Sequence, residues 1–215
     1  MVYSPSKRSN TCMACTLPIN IYSMILNNTN KKGFTLIELL VVIAIVAVLA
    51  VVVILTLNPA QLLRQARDSN RTQDLATLKS AISLYLADVA SPSLGLAANC
   101  YAHSSSTLAA CTTRFASGTT VTLDADVTTD GNGWIPINLN SISAGAPISV
   151  LPKDPVNNAT YYYAYRADPT NGTFEINADM ESAKFAQGGS SDVESGDGGD
   201  SAAFYEVGND PSLDL

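Results

Sequence analysis

The chain has 215 residues, of which 47% are hydrophobic and 14% charged, and its formal net charge at pH 7 is −7. This composition excludes a disordered chain and a protein that binds nucleic acid through a basic surface, so no direct nucleic-acid binding is predicted. The apolar residues are concentrated: between Leu39 and Leu57, every residue except Thr56 is Leu, Val, Ile or Ala. That run excludes a soluble globular protein along the whole chain.

The uncharged run predicts a membrane-spanning helix. Its 19 residues, at about 1.5 Å each, extend roughly 28 Å, which matches the hydrocarbon thickness of a bilayer. Lys31 and Lys32 precede it, whereas no acidic residue occurs before Glu38. This charge asymmetry predicts a cytoplasmic N-terminus and export of everything after Leu57. A signal peptide and a plain single-pass anchor are the alternatives, although no small-residue cleavage site follows the run.

One carboxylate lies inside the apolar block. Glu38 follows Phe34 by four residues, and no Lys or Arg occurs between Phe34 and Leu63. Because a carboxylate at membrane depth costs about 2–3 kcal/mol, we expect it to have a cationic partner. Cleavage after Gly33 would give Phe34 a free α-amino group one helical turn from Glu38. Neighbouring helices packed side by side would then pair amine with carboxylate between subunits.

The sequence KGFTLIELL, from Lys32 to Leu40, resembles the class III signal of type IV pilins and the related pseudopilins. The resemblance implies that a membrane prepilin peptidase cuts after Gly33 and N-methylates Phe34. It also implies that Glu38 guides each subunit into register in a helical filament. Residues 1–33 are then a leader peptide that is absent from the mature protein.

The next segment, residues 58–90, predicts an amphipathic helix. Asn58-Pro59 interrupts the preceding helix because proline removes a backbone donor. The periodicity that then resumes forms one apolar stripe: Leu75, Leu78, Ile82, Tyr85 and Val89. The helix also carries a mixed-charge stretch, which we interpret as solvated, with bridges between packed subunits as the alternative: Arg64, Arg67, Asp68, Arg71 and Asp74. This segment is similar to the second half of the pilin spine helix, whose first, transmembrane half would be residues 34–57.

Residues 91–118 show no clear periodicity and predict a loop. Cys100 and Cys111 lie in it, and export to an oxidising compartment favours a disulfide over reduced thiols. The bond would stabilise the fold by about 3 kcal/mol, because it closes a loop of 12 residues in the unfolded chain. His103, the only histidine, is expected to be an exposed residue of the same loop without a metal role.

Beyond residue 118 the apolar period becomes two, which predicts a small antiparallel sheet over residues 119–187. The predicted strands, with one more in the tail, are Thr119–Val127, Trp134–Leu139, Tyr161–Tyr165, Thr173–Ala178 and Phe204–Val207. Packing this sheet on the C-terminal half of the long helix gives an α+β fold. Such an arrangement of spine helix and sheet is pilin-like.

Residues 188–215 form an acidic region, rich in Gly, Ser and Asp, with seven acidic residues and no Lys or Arg. The pattern favours a solvated loop. Secretion pseudopilins often hold calcium in a C-terminal loop, and oxygen ligands on flexible loops suit calcium. A calcium site is therefore the alternative, with the candidate ligands Asp192, Glu194, Asp197 and Asp200. No other cofactor is required.

No arrangement of residues typical of catalysis is visible in the sequence, so an enzyme is not predicted. The resemblance implies a structural subunit of a type IV pilus. Its partners would be further copies of itself, prepilin peptidase, an assembly ATPase and a platform membrane protein. The precursor would lie in the cytoplasmic membrane and the mature subunit in an extracellular filament. The alternatives are a pseudopilin of a type II secretion or DNA-uptake system, and an anchored surface domain without a filament.

Overall fold

The computed structural model describes residues 33–103, 111, 114, 115 and 120–215. Its elements in chain order are α1 (Leu36–Leu57), α2 (Pro59–Asp88), β1 (Asn99–His103), β2 (Thr120–Asp124), a 3-10 helix (Leu139–Ser141), β3 (Ala164–Asp168), β4 (Thr173–Ala178) and β5 (Tyr205–Gly208). The predicted α+β fold is confirmed. The predicted leader lies outside the described residues, apart from Gly33. One compact unit ends at Val48 and a second runs from Leu49 to Leu215.

Helix α1 consists almost entirely of Leu, Val, Ile and Ala. Nineteen of its residues, Leu36–Ile54, have a mean hydropathy of 3.4, which is long and apolar enough to cross a membrane. None of this span is buried within the described part of the chain. Its apolar surface is therefore free to contact lipid or other helices.

A single residue separates the two helices. Asn58 has left-handed backbone angles (φ 40°, ψ 73°), and its Oδ1 accepts a hydrogen bond from the N–H of Gln61 at 3.4 Å. Asn58 thus caps α2, whose first residue, Pro59, lacks an N–H that this position does not need. The interruption expected at Asn58-Pro59 is present.

The five strands form one sheet in the order β2-β1-β3-β4-β5. All neighbours are antiparallel except β1 and β2, which run parallel with Asn99 opposite Thr120. The prediction of a purely antiparallel sheet was therefore wrong. A parallel pair needs a connection of about a dozen residues or more, and the segment from 104 to 119 is long enough to provide one.

Strand β1 lies in the region predicted to be a loop. Its residues, Asn-Cys-Tyr-Ala-His, carry little of the polar and apolar alternation that indicates a strand, because both faces of β1 are covered. His103 is accordingly a strand residue with only 9% of its surface exposed, not an exposed loop residue. Its Nδ1 lies 2.9 Å from Nδ2 of Asn157, and burial lowers the pKa of His103.

The other predicted strands differ in their bounds. Thr173–Ala178 is a strand as predicted, whereas Tyr161–Tyr165 is shifted to Ala164–Asp168 and Phe204–Val207 to Tyr205–Gly208. The first predicted strand, Thr119–Val127, is shortened to Thr120–Asp124. Beyond it, the Asp124 and Asp126 side chains accept N–H groups two residues further on, which turns the backbone.

The predicted strand Trp134–Leu139 is not a strand. The segment contains Pro136, which cannot donate to a ladder, and a single bridge joins Asn138 to Asp130. Its apolar side chains are nevertheless buried. Trp134 is 1% exposed, and its indole Nε1 donates to the carbonyl of Pro152 at 3.1 Å.

The main core lies between α2 and the sheet. The apolar stripe of α2 is confirmed, since Leu75, Leu78, Ile82 and Tyr85 are at most 3% exposed and Val89 is partly buried. These side chains pack in one cluster with residues of the strands and loops: Tyr101, Trp134, Tyr165, Phe174, Ile176 and Val207. The hydrophobic burial of this cluster holds the helix on the sheet.

The mixed-charge stretch of α2 is buried at its centre rather than solvated. Asp68 and Arg71 have no exposed surface. Arg71 donates to Asp154 through Nε at 2.6 Å and Nη2 at 2.9 Å, and also pairs with Asp68 and Glu181. Asp68 accepts the N–H groups of Glu181 and Ser182. The charge pattern of the helix did not show this, because the partners outside the helix lie 83 to 114 residues away in the sequence.

Cys100 and Cys111 form the predicted disulfide, with their Cα atoms 6.1 Å apart. Both are buried in a second, smaller core with Phe115, Tyr162 and Ala164. Successive residues of a strand point to opposite faces, so Cys100 lies in this core whereas its neighbour in β1 lies in the main one. The disulfide therefore joins β1 to Cys111 within the second core.

Candidate processing and assembly site

The residues around the predicted cleavage site precede the first helix. Gly33, Phe34 and Thr35 have no regular secondary structure, and the Phe34 side chain is 86% exposed. A Cβ atom added to Gly33 would meet nothing within 4 Å. Within the described residues, the fold therefore leaves room for a side chain at this position.

Glu38 lies in the first turn of α1, and its side chain reaches back to the start of the helix. Its Oε2 accepts hydrogen bonds from both the backbone N–H and the hydroxyl of Thr35, each at 2.8 Å. The N–H of Glu38 donates in turn to Oγ1 of Thr35 at 3.2 Å. The carbonyl of Thr35 accepts the N–H of Leu39. This arrangement is a capping box, with Thr35 as N-cap and Glu38 at the third helical position.

The capping box gives Glu38 a partner that the sequence reasoning missed. We expected a cation, because a carboxylate without one is costly in lipid. The structure instead supplies two neutral donors from the same chain. Two of the N–H groups that a helix leaves unpaired at its start are satisfied in return, and a negative charge is favourable at that end. The spacing Thr-x-x-Glu was the signal that predicts this contact.

The surroundings of the Glu38 carboxylate are apolar. Phe34, Ile37, Val41 and Val42 line a shallow recess of about 350 Å³ beside it. Glu38 is the only charged residue of α1. A charged group thus lies at one defined point on a helix that is otherwise almost entirely apolar.

A comparison with protein families decides what this segment is: the prokaryotic N-terminal methylation motif matches residues 28–54. The chain carries a class III prepilin signal. This signal belongs to type IV pilins and pseudopilins, which are structural and generally non-enzymatic. It implies processing by prepilin peptidase and handling by the assembly machinery. No curated protein and no solved structure matches the chain.

The structure does not bring the four candidate calcium ligands together. Asp192, Glu194 and Asp197 each accept two backbone N–H groups, at 2.6–3.0 Å. No hydrogen bond to the Asp200 carboxylate is present within the described ranges. In the same part of the chain, no three acidic, His or Cys side chains form a group suited to a metal ion. Calcium binding therefore stays a prediction.

The sequence reasoning missed two buried carboxyl groups, one in β4 and one in β5. Glu175 of β4 and Glu206 of β5 are each 1% exposed. Burial, together with the charge of Glu206, raises the pKa of Glu175 to about 9. Burial also raises the pKa of Glu206 to about 7. The alternation in β4 assigned Glu175 to a polar face, but it could not show that the C-terminal tail covers that face.

The tail holds these carboxyl groups through its own backbone. Glu175 accepts the N–H of Leu215 at 3.3 Å, and Glu206 accepts the N–H of Ser201 at 3.2 Å. The N–H of Glu206 donates to Asp197 at 2.6 Å. Nearby, Glu194 is 3% exposed, and burial raises its pKa to about 7. The tail thus contributes the edge strand β5 and buries Glu194 and Glu206. Many of its Gly and Ser residues stay exposed, as expected for a solvated loop.

Proposed function

We propose that the chain is the structural subunit of a type IV pilus. The observation that carries this proposal is the prepilin signal, followed directly by a helix whose apolar span Leu36–Ile54 is exposed. Prepilin peptidase would cut after Gly33 and methylate the new amino group of Phe34. The α1 helices of many copies would then form the filament core, and the α+β parts would coat it.

The energetics of α1 support self-association. Eighteen residues between Phe34 and Leu57 are Phe, Leu, Ile or Val. Each such side chain contributes about 1.5–3 kcal/mol when it is fully removed from water, so packed subunits would not dissociate into solution. Extraction from lipid gains far less, because the side chains lose no contact with water there. Assembly therefore requires an ATP-driven motor and a platform protein in the cytoplasmic membrane.

The test is N-terminal mass spectrometry on protein sheared from the cell surface of the native host. We expect abundant filaments whose chains begin at N-methylated Phe34. The variant Glu38→Ala should be cut but yield no filaments, whereas the control Asp214→Ala, which removes an exposed carboxylate, should assemble normally. An uncut chain would contradict the proposal and leave an anchored surface domain.

The alternative is a pseudopilin of a type II secretion or DNA-uptake system. In that case the processed chain should be found only in membranes and not in sheared material. The acidic tail favours this alternative, because the resemblance associates such tails with calcium. For a calcium site, millimolar calcium should raise the melting temperature of the full chain in detergent. Asp197→Asn should abolish that rise, and Asp214→Asn should not. The absence of both binding heat and a rise in melting temperature would reject calcium.

A further inference from the structure

We propose that Thr35 is the positioning residue for Glu38 and fixes its carboxylate at the N-terminal end of α1. The hydrogen bonds that carry this inference are those of the capping box. Its consequence for assembly rests on the proposed function, whereas the geometry itself does not. The experiments below separate the two.

Both donors of Thr35 bind the same carboxylate oxygen. The backbone N–H and the hydroxyl each lie 2.8 Å from Oε2 of Glu38. The second oxygen, Oε1, takes part in no hydrogen bond within the described part of the chain. One oxygen thus anchors the side chain, and the other remains for a cation.

Processing would create such a cation at the same end of α1 at which Thr35 holds the carboxylate. Cleavage after Gly33 leaves the α-amino group on Phe34, one residue before the N–H that Glu38 already accepts. The carboxylate therefore lies at the correct end of the helix before any amine exists. A neighbouring subunit that packs alongside presents its own amine at the same level of its helix.

The hydroxyl of Thr35 selects one conformation of the flexible Glu38 side chain. A glutamate has several staggered rotamers, and its apolar surroundings in α1 favour none of them by charge. Thr35 donates to the carboxylate and accepts from the N–H of Glu38, which links side chain and backbone. Valine has the shape of threonine without the hydroxyl, and serine keeps the hydroxyl, so these two residues form a matched pair of variants.

The first experiment measures amide hydrogen exchange by NMR on the full chain in detergent micelles. In Thr35→Val we expect the N–H of Glu38 to exchange about five to ten times faster, the equivalent of one lost hydrogen bond. Thr35→Ser should exchange as the unaltered chain does. In Glu38→Ala, which removes the acceptor, the N–H of Thr35 should exchange faster. Equal exchange in Thr35→Val and the unaltered chain would overturn the proposal, as would Thr35→Ser behaving like Thr35→Val.

The second experiment measures the consequence in the native host. Thr35→Val should be cleaved and methylated as usual, yet the amount of sheared filament should fall about tenfold, and Thr35→Ser should restore it. Full assembly of Thr35→Val would refute a positioning role in assembly. If the unaltered chain itself forms no filaments, the proposed function fails, and the exchange rates alone decide whether Thr35 positions Glu38.

Discussion

Arg71 links α2 to two loops through buried ion pairs. Its guanidinium has no exposed surface and pairs with Asp68, Asp154 and Glu181. The carboxylates of Asp68 and Asp154 also accept backbone N–H groups, so they cannot turn away to solvent. A buried carboxylate that loses its cation is left uncompensated, and this is a large destabilising effect in a protein interior.

We therefore expect Arg71→Met to lower the free energy of unfolding by about 3–5 kcal/mol. Urea unfolding of the full chain in detergent measures this loss of free energy. Arg64→Met is the matched control, since Arg64 is exposed on the same helix, and it should have almost no effect. Equal losses in the two variants would show that helix propensity, and not the buried charge, is responsible.

The raised pKa of Glu175 predicts that the stability of the fold depends on pH. The folded chain holds a proton on Glu175 up to a pKa of about 9, against an ordinary value of 4.5, so the folded state binds more protons between these values. The free energy of unfolding should therefore fall as the pH rises from 7 to 9, by at most about 1.4 kcal/mol per pH unit. Glu175→Gln should flatten this dependence, and the exposed control Asp214→Asn should not. The measurement is the melting temperature of the full chain in detergent at pH 7, 8 and 9. An equal fall of the melting temperature with pH in both variants would contradict this assignment to Glu175.

Among the elements, those with a regular local pattern were predictable and those fixed by distant contacts were not. The α2 stripe and β4 follow their periods of 3.6 and two because each has one face in the main core. Strand β1 is covered on both faces and has no such pattern. Its parallel pairing with β2 depends on a long connection, which leaves no local signal in the sequence.

The same distinction applies to the candidate site. The prepilin signal is contiguous, so the resemblance could be recognised from Lys32–Leu40, and the Thr-x-x-Glu spacing of the capping box is contained in the same segment. The burial of Glu175 could not be recognised in this way, because the tail residue that contacts it lies 40 residues further along the chain. Glu206 belongs to that tail, and its spacing carries no signal of burial. A carboxylate on the polar face of a strand looks the same in the sequence whether water or a tail lies over it.

The disulfide is the covalent contact between β1 and the segment that follows it. Its loss should lower the free energy of unfolding by about 3 kcal/mol, because the unfolded chain gains freedom when the loop is open. The double variant Cys100→Ser with Cys111→Ser measures this loss in urea. Dithiothreitol should bring the unaltered chain to the stability of the variant and leave the variant unchanged. An effect of the reductant on the variant would contradict this interpretation.

On the scale of the whole molecule, charge and apolar surface are segregated. The chain after Gly33 contains all 19 acidic residues and eight of the 12 basic ones, a formal net charge of −11 with neutral histidine. Of these charged residues, Glu38 alone belongs to α1. Assembly through α1 would therefore leave filaments with a strongly negative coat.

Such filaments should repel one another at low ionic strength. The screening length falls from about 30 Å at 0.01 M salt to about 10 Å at 0.1 M, so we expect isolated filaments in the first condition and lateral bundles in the second. Light scattering and electron microscopy on sheared filaments measure this. Bundling that does not change with salt would show that apolar contacts, and not charge, govern association between filaments.

The buried indole of Trp134 has a practical consequence for spectroscopy. It is the only tryptophan in the chain, it lies in the core at 1% exposure, and α1 contains no aromatic residue. Intrinsic fluorescence excited at the indole band therefore reports the integrity of the α+β part alone. The emission will shift when that core opens, whether the chain is in a micelle, a membrane or a polymer, so a single optical signal separates unfolding from disassembly.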